Sequence, residues 1–248
     1  MSLSFQSQTY RTWKLGTNRG ECEDALASNL RTGAFAVADG ATEAFDSRYW
    51  ARLLVRAWVR DSTATAPPSF LQLASRLGQR VHRKWEHRKL PWYVEEKARA
   101  GSYTAFVGAL FQTDGEYTFR WQVIAIGDSC FLQIRDGMLL RAVPLSSPQE
   151  FWSRPVLLPS NVSGQSAVTS ELKTFEGVGE PGDTFVLLSD TIASWLLGSL
   201  SADVPTAGKF LRLLSKGCKE ELDILTDERR LSGEMRNDDI AAIHVQIV

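Results

Sequence analysis

The chain has 248 residues, 44% of them hydrophobic and 23% charged. That is the profile of an ordinary water-soluble protein, long enough for one large domain or two small ones with a substantial core. A net charge of −1 offers no general attraction to nucleic acid or to an anionic membrane. No run approaches the ~20 apolar residues of a membrane span, and MSLSFQSQTY lacks the basic and apolar parts of a signal peptide. Cys22, Cys130 and Cys218 are few, odd in number and widely spaced, which fits reduced thiols and a cytoplasmic location.

Residues 3–14 read as an edge strand leading to Gly16. Residues 25–30 and 34–38 read as a hairpin turning on Arg31-Thr32-Gly33. Phe45, Tyr49, Trp50, Leu53, Leu54, Ala57 and Trp58 recur at helical spacing over 45–60. Thr63 to Ser69, with Pro67-Pro68, reads as a loop. A second helix follows over 70–88 on Phe70, Leu73, Leu77, Val81 and Trp85, and a short one over 94–100 ends at Gly101.

Four strands come next, at about 103–111, 118–126, 130–135 and 138–143, punctuated by Gly115, Gly127-Asp128 and Asp136-Gly137. The last pair is a two-residue hairpin signal. Over 144–170 apolar periodicity gives way to Pro, Ser, Asn and Gly, the mark of a long loop that is functional, as a lid or binding loop, or else mobile. A strand at 184–189 leads into a helix at 191–199. One longer helix is expected within 206–230, and a last strand over 240–248. With no internal repeat and no domain boundary, the expectation is a single α+β domain with helices packed outside antiparallel sheets.

The chemistry lies in the acids at the strand ends. Asp39, Asp128 and Asp190 close apolar strands, whereas Asp24 and Asp238 open them. Such acids share one edge only if strands run in both directions, so the sheets must be antiparallel or mixed. Singly, each has an ordinary role as a turn residue or helix cap. Together, Asp24 and Asp39 at the open end of one hairpin repel by roughly 4 kcal/mol if about 4 Å apart at an effective dielectric near 20. Four carboxylates from Asp24, Asp39, Asp190 and Asp238 balance two divalent cations. All-oxygen ligation selects Mg²⁺ or Mn²⁺ over zinc, and paired metals make water a nucleophile toward phosphorus.

The blocks Gly16-Thr-Asn-Arg19-Gly-Glu-Cys-Glu23-Asp24, Val37-Ala-Asp39-Gly40, Gly101-Ser102, Gly127-Asp128-Ser129, Gly182-Asp183 through Ser189-Asp190, and Asn237-Asp238-Asp239-Ile240 span nearly the whole chain. In this order they resemble the type 2C family of metal-dependent serine/threonine protein phosphatases. The resemblance implies a four-layer αββα sandwich. It makes Asp39 the ligand bridging two metals, Asp24 a ligand of one, and Asp190 and Asp238 ligands of the other. Gly40 would contribute its carbonyl, Glu23 would stand behind the ligands, Asp128 would face a third, weaker metal, and Arg19 would hold the substrate phosphate. A phosphorylated protein would be the substrate, with a serine/threonine kinase as a partner, and the chain would act as a monomer. The sequence departs from the family where many members have Asp-Gly-His. Here Asp39-Gly40-Ala41 has no proton donor, Thr42-Glu43 replaces a glycine pair, and Thr191 stands where glycine is usual. Those departures favour a second reading, a phosphatase-like module that binds a phosphoprotein or kinase without turning it over.

Other signals point to ordinary roles. His82 and His87 lie with Trp85 in a basic stretch that reads as a solvated helix face. His244 reads as a packed or edge histidine, and three scattered histidines do not make a zinc site. Cys130 to Arg135 has the wrong spacing for a cysteine-phosphatase loop, and no nucleotide-binding Gly-rich loop is present. Cys22 reads as a spectator thiol.

Overall fold

After an edge strand, β1 (Phe5–Thr12), the chain forms the hairpin of β2 (Ala25–Asn29) and β3 (Ala34–Gly40), with Ala25 opposite Ala38. That register sets Asp24 beside Asp39. Gly33 makes the turn with φ 66°, and a Cβ there would lie 2.6 Å from the Phe111 carbonyl, so only glycine fits. The computed structural model describes residues 4–61, 64–86, 88–113, 118–152, 154–202 and 204–247.

Helices α1 (Ser47–Arg60), α2 (Pro67–Trp85) and α3 (Trp92–Ala100) follow. Then come β4 (Tyr103–Thr113), β5 (Phe119–Ile126), β6 (Cys130–Arg135) and β7 (Met138–Val143). Asp136 and Gly137 both have positive φ, as the β6–β7 hairpin requires. The chain ends with β8 (Leu158–Pro159), α4 (Val162–Ala167), β9 (Lys173–Gly179), β10 (Thr184–Leu188), α5 (Asp190–Ser201), α6 (Pro205–Lys216), α7 (Lys219–Leu231) and β11 (Ile240–Ile247).

The strands form two antiparallel sheets. One has the order β1-β11-β10-β6-β7; the other runs β2-β3-β4-β5-β9, with β8 joined to β4. Alternating side chains put one set between the sheets, where Phe35, Val37, Phe111 and Trp121 of one sheet meet Phe131, Phe185, Ile243 and Val245 of the other. The opposite set faces the helices. Ala36, Ala38 and Phe106 pack under Trp50, Trp58 and Phe70 of α1 and α2. Leu132, Val186 and Ala242 pack under Ile192, Phe210 and Leu225 of α5, α6 and α7. Three apolar layers between four layers of backbone make the expected αββα sandwich.

Four expectations need correcting. Pro67-Pro68 opens α2 instead of lying in a loop, because proline lacks only an N–H that the first turn leaves unpaired anyway. The helix expected within 206–230 is two, α6 and α7, parted where Gly217 takes a left-handed conformation with φ 68°. Residues 144–170 are not structureless, since a 3-10 turn at Pro148–Trp152, β8 and the whole of α4 fall there. Strand β9 was not expected at all. His87 and Gly115 lie outside the described residues.

Candidate active site

Five acid-bearing strand ends meet at one edge of the sandwich. Asp24 precedes β2 and Asp39 is the penultimate residue of β3, both in the six-stranded sheet. Asp190 follows β10 and Asp238 precedes β11 in the five-stranded sheet. Asp128 lies in the turn from β5 to β6, where the chain crosses between sheets.

Asp24 is fully buried, with the Asp39 carboxyl and the Ser189 hydroxyl as neighbours. Asp39 in turn reaches Asp190. Asp39 stays half-buried because it opens into a cavity of about 150 Å³ whose wall includes Gly40, Ala41, Asp128 and Asp238.

Crowding raises the proton affinity of these carboxyls. Burial comes first for both Asp24 and Asp39 and pushes each well above the usual carboxylate range. Repulsion from Asp239 and Asp190 adds to the effect at Asp24, and repulsion from Asp24, Asp190 and Asp128 adds to it at Asp39. Burial, then Asp190, moves Asp128 up to about 7. Burial also raises Asp238 and Glu23, the latter partly relieved by a hydrogen bond from Thr42.

Neighbouring backbone fixes the cluster. Asp39 pairs with Ala105 across the β3–β4 ladder, and the Thr104 hydroxyl donates to the Asp39 carbonyl at 2.6 Å. Ala41 N–H donates to the Tyr103 carbonyl. A Cβ on Gly40 would lie 3.0 Å from the Ser47 backbone and 3.1 Å from the Glu23 carbonyl, so the strand passes close under α1 only because that residue is glycine. Asp239 accepts the N–H of Lys14 on Oδ1 and that of Glu23 on Oδ2, and Asn237 both accepts from and donates to Leu15. Buried Arg230, on α7, donates to the carbonyls of Trp13 and Asp238.

Not every residue singled out by sequence joins the cluster. Arg19 stands exposed on the loop between β1 and β2, with no hydrogen bond or ion pair among the described residues; Arg48 of α1 holds that loop through the Gly20 carbonyl. Asp183, from the Gly182-Asp183 block, lies at the far end of β10, where Arg135 grips both of its oxygens at 2.6 and 3.0 Å. Cys22 is fully buried, and burial with Asp24 and Asp239 nearby pushes its thiol up to about 12, so it is no reactive thiolate.

Arg236, Asp239 and Arg230 went unassigned from sequence. Arg236 donates to Oδ2 of Asp190 and to the Thr191 hydroxyl. Asp239 follows Asp238 directly ahead of β11, and that Asp-Asp pair before a strand is its one signal in the sequence. Arg236 finds its partners only through tertiary structure, and Arg230 adds the Trp13 and Asp238 carbonyls to a local pairing with Asp227 on its own helix.

The donor set fits hard divalent cations. Among the described residues no three acidic, His or Cys side chains converge as a ready-made cage. Yet Oδ2 of Asp24 is buried without a hydrogen-bond partner among the described residues, in a cluster of like charges that a cation would relieve.

The protein phosphatase 2C family model matches residues 17–225. No curated protein matches the chain. Solved structures do. The catalytic domain of the serine/threonine protein phosphatase PstP in complex with two manganese ions superposes with a TM-score of 0.66 at 16% identity, over 100% of both chains. The Mycobacterium tuberculosis serine/threonine phosphatase PstP/Ppp gives 0.63 at 17% identity over 98% of each. Stp1 of Staphylococcus aureus gives 0.59 at 14%, over 98% of this chain and 95% of that one. At such identities these likenesses speak for the fold. The family model covers most of the sequence and runs through the loop of Arg19 and through Asp24, Asp39, Asp128 and Asp190, and on that match the chain belongs to the protein phosphatase 2C family.

Proposed function

We propose that this chain is a single-domain, metal-dependent phosphatase that removes phosphate from phosphoserine or phosphothreonine in proteins. The observation that carries it is the knot of Asp24, Asp39 and Asp190 at the seam of the sheets, with an oxygen on Asp24 that has no partner among the described residues.

Asp24, Asp39, Asp190 and Asp238, with the Gly40 carbonyl, would hold two Mn²⁺ or Mg²⁺ ions, and Asp128 a third, weaker one. Bound there, such ions supply Lewis acidity, lowering the pKa of water and neutralising charge on phosphoryl oxygens. Glu23 stands behind Asp24 and keeps the loop in place. Arg19, exposed on its loop, offers a planar two-donor fork to the substrate phosphate. Ala41 gives no proton, so the leaving alkoxide takes its proton from elsewhere. General acid help is typically worth 10²–10⁴-fold, which makes slow turnover of alkyl phosphates the expectation. The partners implied are a phosphoprotein and the serine/threonine kinase that makes it; the location is cytoplasmic and the working unit a monomer. Among the described residues no helix is long and apolar enough to cross a membrane.

A binding module without turnover is the second reading. The pairing of Arg236 with Asp190 favours it, because an internal cation already occupies one carboxylate. Hydrolysis of p-nitrophenyl phosphate across a Mn²⁺ titration, with Asp39→Asn alongside, decides between them. This substrate leaves as a stabilised phenolate and needs no general acid. Metal-dependent turnover that vanishes in the variant supports the enzyme, and a folded protein inert at every metal concentration supports the module.

A further inference from the structure

A second cavity lies away from the carboxylates. It is an open groove of about 730 Å³ between α2, α3 and the segment entering α4. Phe45, Val81 and Trp85 give it an apolar side, and Arg83, Arg88 and Arg99 stand exposed around it. Its wall is braced from within. Trp85 packs edge-on against Phe45 at 4.9 Å and donates to Asp46 at 2.9 Å, while Lys84 pairs with the same carboxylate at 2.6 Å. The Arg88 guanidinium stacks on the Trp85 ring at 4.9 Å. None of the three arginines is in an ion pair among the described residues; Arg83 donates to the Gln79 carbonyl.

Charge is concentrated here. Residues 79–100 hold seven Lys and Arg against three Glu, a surplus of four positive charges in a chain whose net charge is −1. Glu86 and Glu95 are the acids lining the groove.

The groove also adjoins the catalytic cavity through two shared stretches of chain. Residues 39–42 line the cavity and Phe45 lines the groove; Pro155 and Leu157 line the cavity, and Ser160 and Asn161 line the groove. Ser102, on the groove floor, directly precedes Tyr103, whose carbonyl receives the Ala41 N–H. Lys97 of α3 reaches Glu43 at 3.9 Å across the same junction.

We propose that this groove docks the acidic flank of the phosphoprotein substrate. An extended acidic segment lies along Arg83, Arg88 and Arg99, with an apolar side chain against Trp85, while the phosphorylated residue sits at the carboxylates next door. A concave, partly apolar groove lined by both arginines and glutamates suits a peptide better than a nucleic-acid backbone, which calls for a basic face of one sign. The proposal rests on the phosphatase reading above, and its test separates the two.

The kcat/KM of a phosphothreonine peptide with glutamates on both sides is measured against the same peptide carrying glutamines, at low and high salt. Wild type is compared with R83Q/R88Q/R99Q, and p-nitrophenyl phosphate serves as the reference for catalysis. Three exposed charge contacts predict a preference of about tenfold for the acidic peptide, shrinking with salt. The variant loses it while hydrolysing p-nitrophenyl phosphate as wild type does. Equal use of both peptides by wild type, or a preference that survives in the variant, overturns the proposal. If p-nitrophenyl phosphate is not turned over at all, the phosphatase reading falls and docking is read directly, by fluorescence anisotropy of the labelled acidic peptide. Binding by wild type that is lost in the variant upholds the groove. Absent binding, or displacement by a single-stranded oligonucleotide at lower concentration than by unlabelled peptide, overturns it.

Discussion

Asp239 and Glu23 are 216 positions apart in sequence, yet Oδ2 of the first accepts the backbone N–H of the second at 2.8 Å. With Oδ1 taking the Lys14 N–H, one buried carboxylate pins both ends of the loop that carries Arg19. Hydrogen bonds to a charged acceptor are worth about 1.5–3 kcal/mol each, and solvent reaching the freed N–H groups returns part of that. Asp239→Ala is expected to lower stability by about 2 kcal/mol and to raise KM for a phosphopeptide more than it lowers kcat. Urea unfolding and steady-state kinetics check both; unchanged stability would remove Asp239 from the scaffold.

Arg236 competes with any cation for Asp190. It is more than half exposed and can swing away, so its hold is that of a surface ion pair. Arg236→Ala should tighten Mn²⁺ binding about threefold in isothermal titration calorimetry, and should lower the melting temperature of the metal-free protein by removing the cluster's own counter-charge. A weaker Mn²⁺ affinity would show that Arg236 supports the ions instead of displacing them.

His244, buried on β11, has its pKa pushed down to about 4 by burial. An unfolded histidine takes up its proton near 6.5, so the unfolded chain binds more protons between those values and stability falls as pH drops from about 6.5 to about 4. The loss attributable to this side chain reaches about 3 kcal/mol. The raised carboxyls of Asp24, Asp39 and Asp128 act oppositely, favouring the metal-free fold as pH falls. Subtracting the pH–stability curve of His244→Gln from that of wild type isolates the histidine. A flat difference across that window would mean His244 is not desolvated.

Gly177 on β9 sits opposite Trp121, and a Cβ there would come within 2.3 Å of the ring. The ring cannot retreat, since it packs 4.9 Å from Phe131 and donates to Gln133. Gly177→Ala is expected to cost about 1–3 kcal/mol. A Cβ on Gly198 of α5 would meet nothing nearer than 3.8 Å among the described residues, so Gly198→Ala is expected to gain up to about 1 kcal/mol. Chemical denaturation of the two variants tests the contrast, and a neutral Gly177→Ala would show that β9 is free to move.

The contrast also explains what could be read from the sequence. The β2–β3 hairpin was legible because its turn chemistry and apolar runs agree, and from it came the pairing of Asp24 with Asp39. The need for antiparallel sheets followed from acids that both open and close strands. Strand β9 was hidden because its core-facing positions include glycines that make room for Trp121 and Phe119 across the ladder; apolar periodicity cannot register a side chain that is absent. The break between α6 and α7 turned on one left-handed glycine inside an otherwise helical pattern. Arg236 lies beyond local reading altogether, and Asp239 shows only as the second acid of a pair ahead of a strand, since their partners come from α5 and the loop after β1.

The carboxylates are shared between the two halves of the sandwich: Asp24 and Asp39 ride on one sheet, Asp190 and Asp238 on the other. Their spacing is therefore a gauge of how the sheets are seated on each other. The interleaved rings of Phe111, Phe131 and Phe185, with centroids 4.9–6.2 Å apart, resist shear between the layers. A core substitution that lets one layer slip by an ångström would be felt first at the acidic edge, far from the methyl or ring that was changed.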